Sequence, residues 1–266
     1  MCVVISKYFD KKGWVLIKQR DRNYSPEISF KTVNNDDLEI LYFWDNNTQY
    51  CEGINSNGIS ILSASLMVIG DEKEISTKEP SKDGKRIQEA LTYSTLEDAC
   101  KFLISSKLTG HTLICDKDRC FLLEGAWKKG GYRKEEFEYD LREIPKDEII
   151  VRTNHGIKLK HAGYQTGMDI GQEDNRISSE IRRSIVISIA KLAKTPTEIM
   201  DNLLEPYMAN PQLNPTRLPH KDKKMRTTSQ IVLIPSDSKM IVRILDGKLD
   251  KDIVYTMDKI TLEVVD

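Results

Sequence analysis

The run MCVVISKYF puts Cys2, one of only five cysteines, directly behind Met1 and at the head of a strand-like segment. Loss of Met1 would leave one residue carrying a thiol and a free α-amino group, a nucleophile and a base together. That amine, with a reference pKa of roughly 7.7–8.0, is poised to take the thiol proton near neutrality. Three more parts are needed: a carboxylate to orient the amine, a cation to favour the thiolate, and amide donors for the oxyanion. The segment IKQRDRNY offers Lys18, Arg20, Asp21 and Arg22 in one short stretch. Read alone, Cys2 is equally a small apolar strand residue, and the charges are equally a solvated strand exit.

The elements around these residues decide whether they can meet. CVVISKYF and GWVLIKQ flank DKKG, good hairpin chemistry that would lay the basic segment beside Cys2. EISFKTV, LEILYFW and GISILSAS continue the β pattern, with Asn, Asp and Gly clusters between them. Ser94 and Glu97 then form a capping-box signature, and Leu96, Ala99, Cys100 and Leu103 recur on one helical face. Gly110 is expected to close that helix before the strand pair HTLICDKDRCFLLEG. FEYDLREI and EIIVRTN add β content. A helix over 178–194 carries Ile181, Ile185, Ile189 and Leu192 as its stripe. Another starts at Thr195, Pro196 and Glu198, with N-cap, N1 and N3 signals. The polar stretch NPTRLPHKDKKMRTTS reads as a loop, and QIVLIP, KMIVRIL and DIVYTM close the chain as strands. Strands, helices and strands again, without βαβα alternation, fit two largely antiparallel sheets with helices on their outer faces.

Composition narrows the function. The 266 residues are 39% hydrophobic, enough for one substantial core, and a single domain over 1–266 is expected. The net charge of −1 gives no basic field for nucleic acid. ISILSASLMVIG is too short and too rich in serine to span a bilayer, and the first twenty residues lack a signal peptide's apolar region. A cytoplasmic, reducing location follows as an expectation. Five scattered cysteines, with no CxxC or HxxxH spacing, make a disulfide framework or structural zinc site improbable. Cys115 and Cys120 should pack across a hairpin.

Taken in order, MC, the basic segment with RD, CEGINSNGISILSASL, HTLICDKDRCFLLEG, VRTNHG, SSEIRRSIV and TTSQIVLIPSDSKMIVRIL form a collinear set. The set resembles the N-terminal-nucleophile (Ntn) cysteine hydrolases: choloylglycine hydrolases, penicillin V acylases and the acyl-CoA:6-aminopenicillanic acid acyltransferase relatives. The resemblance implies a four-layer αββα sandwich of the α+β class, without metal or organic cofactor, often a homo-oligomer. It implies an amidase or acyltransferase that cleaves a linear, non-peptide C–N bond of a small N-acyl amide through a thioester. Cys2 would be the nucleophile and its α-amino group the base. Asp21 would orient that amine, Lys18 would supply positive charge with Arg20 or Arg22 sharing its role, and Arg182 would join the charge network. Asn154 and a backbone N–H near Ser65 would face the oxyanion.

Two positions depart from the family. Lys18 and Gln19 stand where Arg and Asn are usual, and Lys loses the planar fork of Arg. Ser65 stands at the position of a common Asn. These departures leave a second class open, an inactive Ntn-fold binding or assembly protein. His155 and His220 read as solvated loop histidines, and Trp14, Tyr24, Phe30, Trp44 and Trp127 read as core.

Overall fold

A computed structural model of the chain describes residues 2–22, 24–35, 38–66, 82–127, 136–163, 172–205, 226–245, 250–256 and 259–265. Of the loop expected over 214–229, residues 214–225, with His220, lie outside them, as does the loop at Lys128, while residues 226–229 form the start of a strand rather than a loop. The chain opens with the hairpin β1 (Cys2–Phe9) and β2 (Gly13–Arg22), closed at Gly13, whose φ of +68° a side chain would strain. Then come β3 (Ile28–Asn35), β4 (Leu38–Asp45), β5 (Tyr50–Asn55) and β6 (Ser60–Ala64). Helices α1 (Asp83–Ala90) and α2 (Leu96–Ser105) precede β7 (Gly110–Cys115), β8 (Cys120–Trp127), β9 (Phe137–Glu143) and β10 (Ile150–Arg152). Helices α3 (Gln172–Leu192) and α4 (Pro196–Asn202) follow. The remaining strands are β11 (Arg226–Ile234), β12 (Lys239–Leu245), β13 (Asp250–Thr256) and β14 (Lys259–Val265).

Two antiparallel seven-stranded sheets result, ordered β10-β1-β2-β11-β12-β13-β14 and β3-β4-β5-β6-β7-β8-β9. The period of two assigns faces. Val4, Trp14 and Leu16 pack against Leu41, Phe43, Leu62 and Leu113 of the other sheet. Val3, Ile5, Val15 and Ile17 face Val186, Ile189 and Ile199 of α3 and α4. On the far side, Ile40, Ile61 and Ile114 meet Ile87, Ala99 and Leu103 of α1 and α2. The layers run α, β, β, α, as the resemblance implies.

Several local expectations shift. The cap of α2 is Thr95, not Ser94: its hydroxyl accepts from the Asp98 N–H at 3.2 Å and donates to the Asp98 carboxylate at 2.8 Å. The frame moves by one residue because Leu96, the first buried apolar side chain, must open the helix. Gly110 does not end this helix; Lys107 does, at φ +61°, with Lys107 N–H to Ile104 O and Leu108 N–H to Leu103 O. The cap of α4 is as read: Thr195 Oγ accepts from Glu198 N–H at 3.1 Å, and Glu198 accepts from Lys194 N–H at 2.7 Å. In α3 the stripe is rotated. Ile181 and Leu192 are exposed, while Ser179, Arg182, Val186, Ile189 and Ala190 are buried. Two polar side chains occupy the inward face because they have polar partners beneath them. Cys115 and Cys120 are cross-strand neighbours, and all five cysteines are free thiols. Helix α1 and strand β14 carry no signal strong enough to be expected from sequence. Among the described residues no helix is long and apolar enough to cross a membrane, and no group of metal-ligating side chains is gathered.

Candidate active site

In the β1–β2 hairpin Cys2 lies opposite Arg20, and Val4 opposite Lys18. Alternation therefore turns Lys18, Arg20 and Arg22 toward the thiol's face and sends Gln19 and Asp21 to the helix layer. Lys18 and Arg20 are 1% exposed. Water cannot solvate these charges, so protein groups must. Lys18 pairs with Glu52 of β5 and donates to Ser63 O at 2.5 Å. Arg20 pairs with Asp45 at 3.1 Å, with Glu52 at 3.9 Å, and lies over the Phe43 ring. Arg22 donates to Cys2 Sγ at 3.1 Å and to Tyr24 Oη at 3.1 Å, with Asp45 at 3.8 Å. Tyr24 in turn donates to Asp45 at 2.7 Å.

Among the described residues, three cations on this face thus meet two carboxylates, Asp45 and Glu52. A Cys2 thiolate is the third negative charge and closes the balance, and leaving a buried cation uncompensated costs several kcal/mol. The thiol's acidity follows. Burial pushes it up, but Arg22 first, then Lys18 and the chain's terminal amine, bring it from 9.0 to about 6. The other thiols go the opposite way: burial raises Cys51 and Cys115 well above their ordinary value and Cys100 to about 12.

Asp21 belongs to the other face. It is fully buried, pairs with Arg182 of α3, and accepts from Thr227 Oγ1 at 2.8 Å. Arg182 is 2% exposed, and this pairing explains the inward turn of α3.

Asn154 follows the short strand β10, next to β1 in the sheet, and is 2% exposed. Its Oδ1 accepts from the Cys2 nitrogen at 2.8 Å and its Nδ2 donates to Ser65 O at 2.6 Å. Both partners fix the amide's orientation, because a peptide N–H only donates and a carbonyl only accepts. With Met1 attached, the Cys2 nitrogen is a peptide N–H, standing where the α-amino group of a processed chain would be. One Nδ2 hydrogen remains available beyond the bond to Ser65. The backbone of Asn154 is held by Ser179 Oγ at 3.3 Å. His155 is not a solvated loop residue: it is 2% exposed, and its ring lies 2.8 Å from Ser179 Oγ and 3.0 Å from Thr153 Oγ1. Burial lowers its pKa to about 4, so it is neutral at pH 7. The segment after it wraps around Glu124 of β8, which accepts the N–H groups of Ile157 and Leu159 at 2.8 and 2.9 Å. A Cβ on Gly156 would meet Leu159 O at 2.1 Å, so this tight wrap needs glycine.

Of the residues expected from sequence, Cys2, Asn154 and Ser65 form one hydrogen-bonded group. Ser65 contributes its carbonyl to Asn154. Asp21 and Arg182 form a second group beneath, and Lys18 and Arg20 are committed to Glu52 and Asp45. Sequence reasoning named Arg22 with Arg20 as sharing the role of Lys18, and of these Arg22 is the group on the sulfur; it gave no site role to Glu52, Asp45, Tyr24 or Thr227. Arg22 was legible: stepping two residues from Arg20, which lies opposite Cys2, reaches it directly.

Solved structures with this arrangement of sheets and helices are found across nearly the whole chain. A mutant of the conjugated bile acid hydrolase from Clostridium perfringens superposes with a TM-score of 0.56 at 14% identity, over 98% of this chain and 94% of that one. Penicillin V acylase from Agrobacterium tumefaciens gives 0.52 at 10% identity, over 97% and 87%. A second variant of the Clostridium perfringens hydrolase gives 0.52 at 11% identity, over 98% and 94%. The chain has the Ntn-hydrolase fold. No family model and no curated protein sequence matches it. Within this Ntn fold the Cys2 thiol sits at the end of the sandwich where β1, β6 and β10 converge.

Proposed function

We propose that this Ntn-fold chain is an N-terminal cysteine amidase or acyltransferase acting on a linear amide of a small molecule. The observation that carries the reading is Arg22 Nη1 at 3.1 Å from Cys2 Sγ, in a cluster whose charges, among the described residues, balance with a thiolate. Loss of Met1 converts the Cys2 nitrogen into an amine beside the sulfur. The thiolate adds to the substrate carbonyl, forming a C–S bond and moving the C=O electron pair onto oxygen. Asn154 Nδ2, anchored by Ser65 O, donates its second hydrogen to that oxyanion. Collapse expels the substrate nitrogen, which takes a proton from the Cys2 ammonium and leaves as an amine. The neutral α-amine then takes a proton from water as it attacks the thioester, releasing the acid and the thiol. If an amine or alcohol attacks instead of water, the outcome is acyl transfer. Asp21, held by Arg182 and Thr227, supplies negative charge under the ammonium.

The wider reading includes a cytoplasmic setting, consistent with five free thiols, and a homo-oligomer. Purified protein checked by intact mass, then screened on a panel of N-acyl amides with amine-release detection, tests the proposal. Amine release that requires Cys2 and loss of Met1 supports it. A chain that retains Met1 and releases no amine from any member favours the binding-protein reading.

A further inference from the structure

Beside β10, on the side of Asn154 away from the thiol, a cavity of about 320 Å³ opens between α3 and the segment after Asn154. Consecutive residues point two ways: Asn154 reaches Cys2, while His155 lines this cavity. The other polar walls are Lys160, Arg176, Arg183, Glu180 and Ser184. Glu180 is taken by Arg176, at 2.5 Å. The remaining lining cations, Lys160 and Arg183, have no such partner among the described residues. Arg183 donates to the carbonyl of Val151 at 3.1 Å, and Arg152 donates to the same oxygen at 2.9 Å. Arg152 is 4% exposed and its Nε meets no acceptor. Among the described residues no carboxylate stands within ion-pair distance of Arg152, Arg183 or Lys160.

Two guanidinium groups, one buried and one half-buried, thus share one neutral carbonyl, and a peptide oxygen neutralises neither. Burial first and then the neighbouring Arg183 depress the Arg152 pKa to about 10, with Glu124 and Glu148 opposing the shift. His155, neutral at pH 7, adds a ring wall rather than charge. We propose that this cavity binds a small anion carrying a phosphate group, with Arg183 and Lys160 as its direct donors. Guanidinium and ammonium groups at the wall of a concave site match that chemistry. The volume sits at the lower end of ligand cavities, roughly 300–1,000 Å³. It therefore leaves room for a small organic group on the phosphate. Free phosphate and a phosphate monoester share the same head.

Isothermal titration of the full chain with inorganic phosphate and with phenyl phosphate, against chloride at matched ionic strength, tests the site. Saturable one-to-one binding of at least one phosphate ligand is expected. Tighter binding of phenyl phosphate would assign the site to a monoester, and equal affinity would assign it to free phosphate. Arg183→Gln should weaken binding roughly ten- to a hundredfold, the loss of a charge-assisted contact. Arg183 also holds Val151, so Lys160→Gln, an exposed position that folding does not need, serves as the second variant and should weaken binding several-fold. Lys101→Gln on α2, far along the chain and exposed, should leave it unchanged. Heats no larger than those of chloride, or affinities unaltered in both Arg183→Gln and Lys160→Gln, would overturn the proposal.

Discussion

Arg22→Gln isolates the contact that sets the thiol's acidity. Arg22 is the leading charge that lowers Cys2 from 9.0 to about 6, against burial that raises it. A unit charge about 4 Å away, at an effective dielectric near 20, is worth about 4 kcal/mol. At 1.36 kcal/mol per pH unit, that is ~3 on the pH scale. Without Arg22 the thiol should therefore titrate near or above its ordinary value, because burial remains. The assay is the rate of Cys2 alkylation by iodoacetamide from about pH 5 to about pH 10, read by peptide mapping. The midpoint, rather than the rate at one pH, is the quantity to compare. A less acidic thiol gives a stronger nucleophile, with a Brønsted slope of about 0.4–0.5, which partly cancels the loss of thiolate at neutral pH. A variant whose midpoint stays near that of the wild type would refute the assignment of Arg22 and shift it to Lys18 and the terminal amine.

Four further outcomes are expected. Brief alkylation of the native chain near neutrality should label Cys2 far ahead of Cys51, Cys100 and Cys115, whose thiols burial holds protonated; equal labelling would count against the cluster. Asn154→Ala should lower kcat on any substrate found by about 10²–10³-fold, while Cys2 alkylation stays close to native, measured side by side. Asp21→Asn breaks a fully buried pair with Arg182 and should cost about 3–5 kcal/mol of stability, seen in denaturant unfolding. His111 and His155 are lowered from 6.5 to about 3 and about 4, chiefly by burial, so the unfolded chain binds their protons first as pH falls. Stability should then be full above about pH 6.5 and drop steadily toward about pH 4, and His111→Gln should flatten that slope in thermal melts.

Local signals that depend on neighbours in sequence were readable. The DKKG hairpin, the Thr195 cap and the hairpin between Cys115 and Cys120 form from residues a few positions apart. Collinear motifs also singled out Cys2, Asp21 and Asn154, of which Cys2 and Asn154 are hydrogen-bonded while Asp21 pairs with Arg182 on the face beneath. The partners of the basic strand were not readable, because Asp45 and Glu52 arrive from the opposite sheet and only packing brings them under Lys18 and Arg20. The inward face of α3 misled for a related reason. A hydrophobic stripe through Ile181 predicts the wrong side when the helix must deliver Arg182 to Asp21. His155 reads as solvated in any loop-based argument, and its burial depends on Ser179, a residue of a distant helix.

The carbonyl of Val151 has a second meaning. Strand β10 is three residues long, buried, and lies at the end of its sheet, and an edge strand is where another chain can add a strand if its peptide groups are uncovered. Arg152 and Arg183 already occupy that oxygen, so a foreign strand would have to displace two guanidinium groups to pair there. At this carbonyl, the flank that carries Asn154 therefore offers no free acceptor to an incoming strand without that displacement. Substituting both arginines by apolar residues should make the protein more prone to self-association under conditions that leave its fold intact.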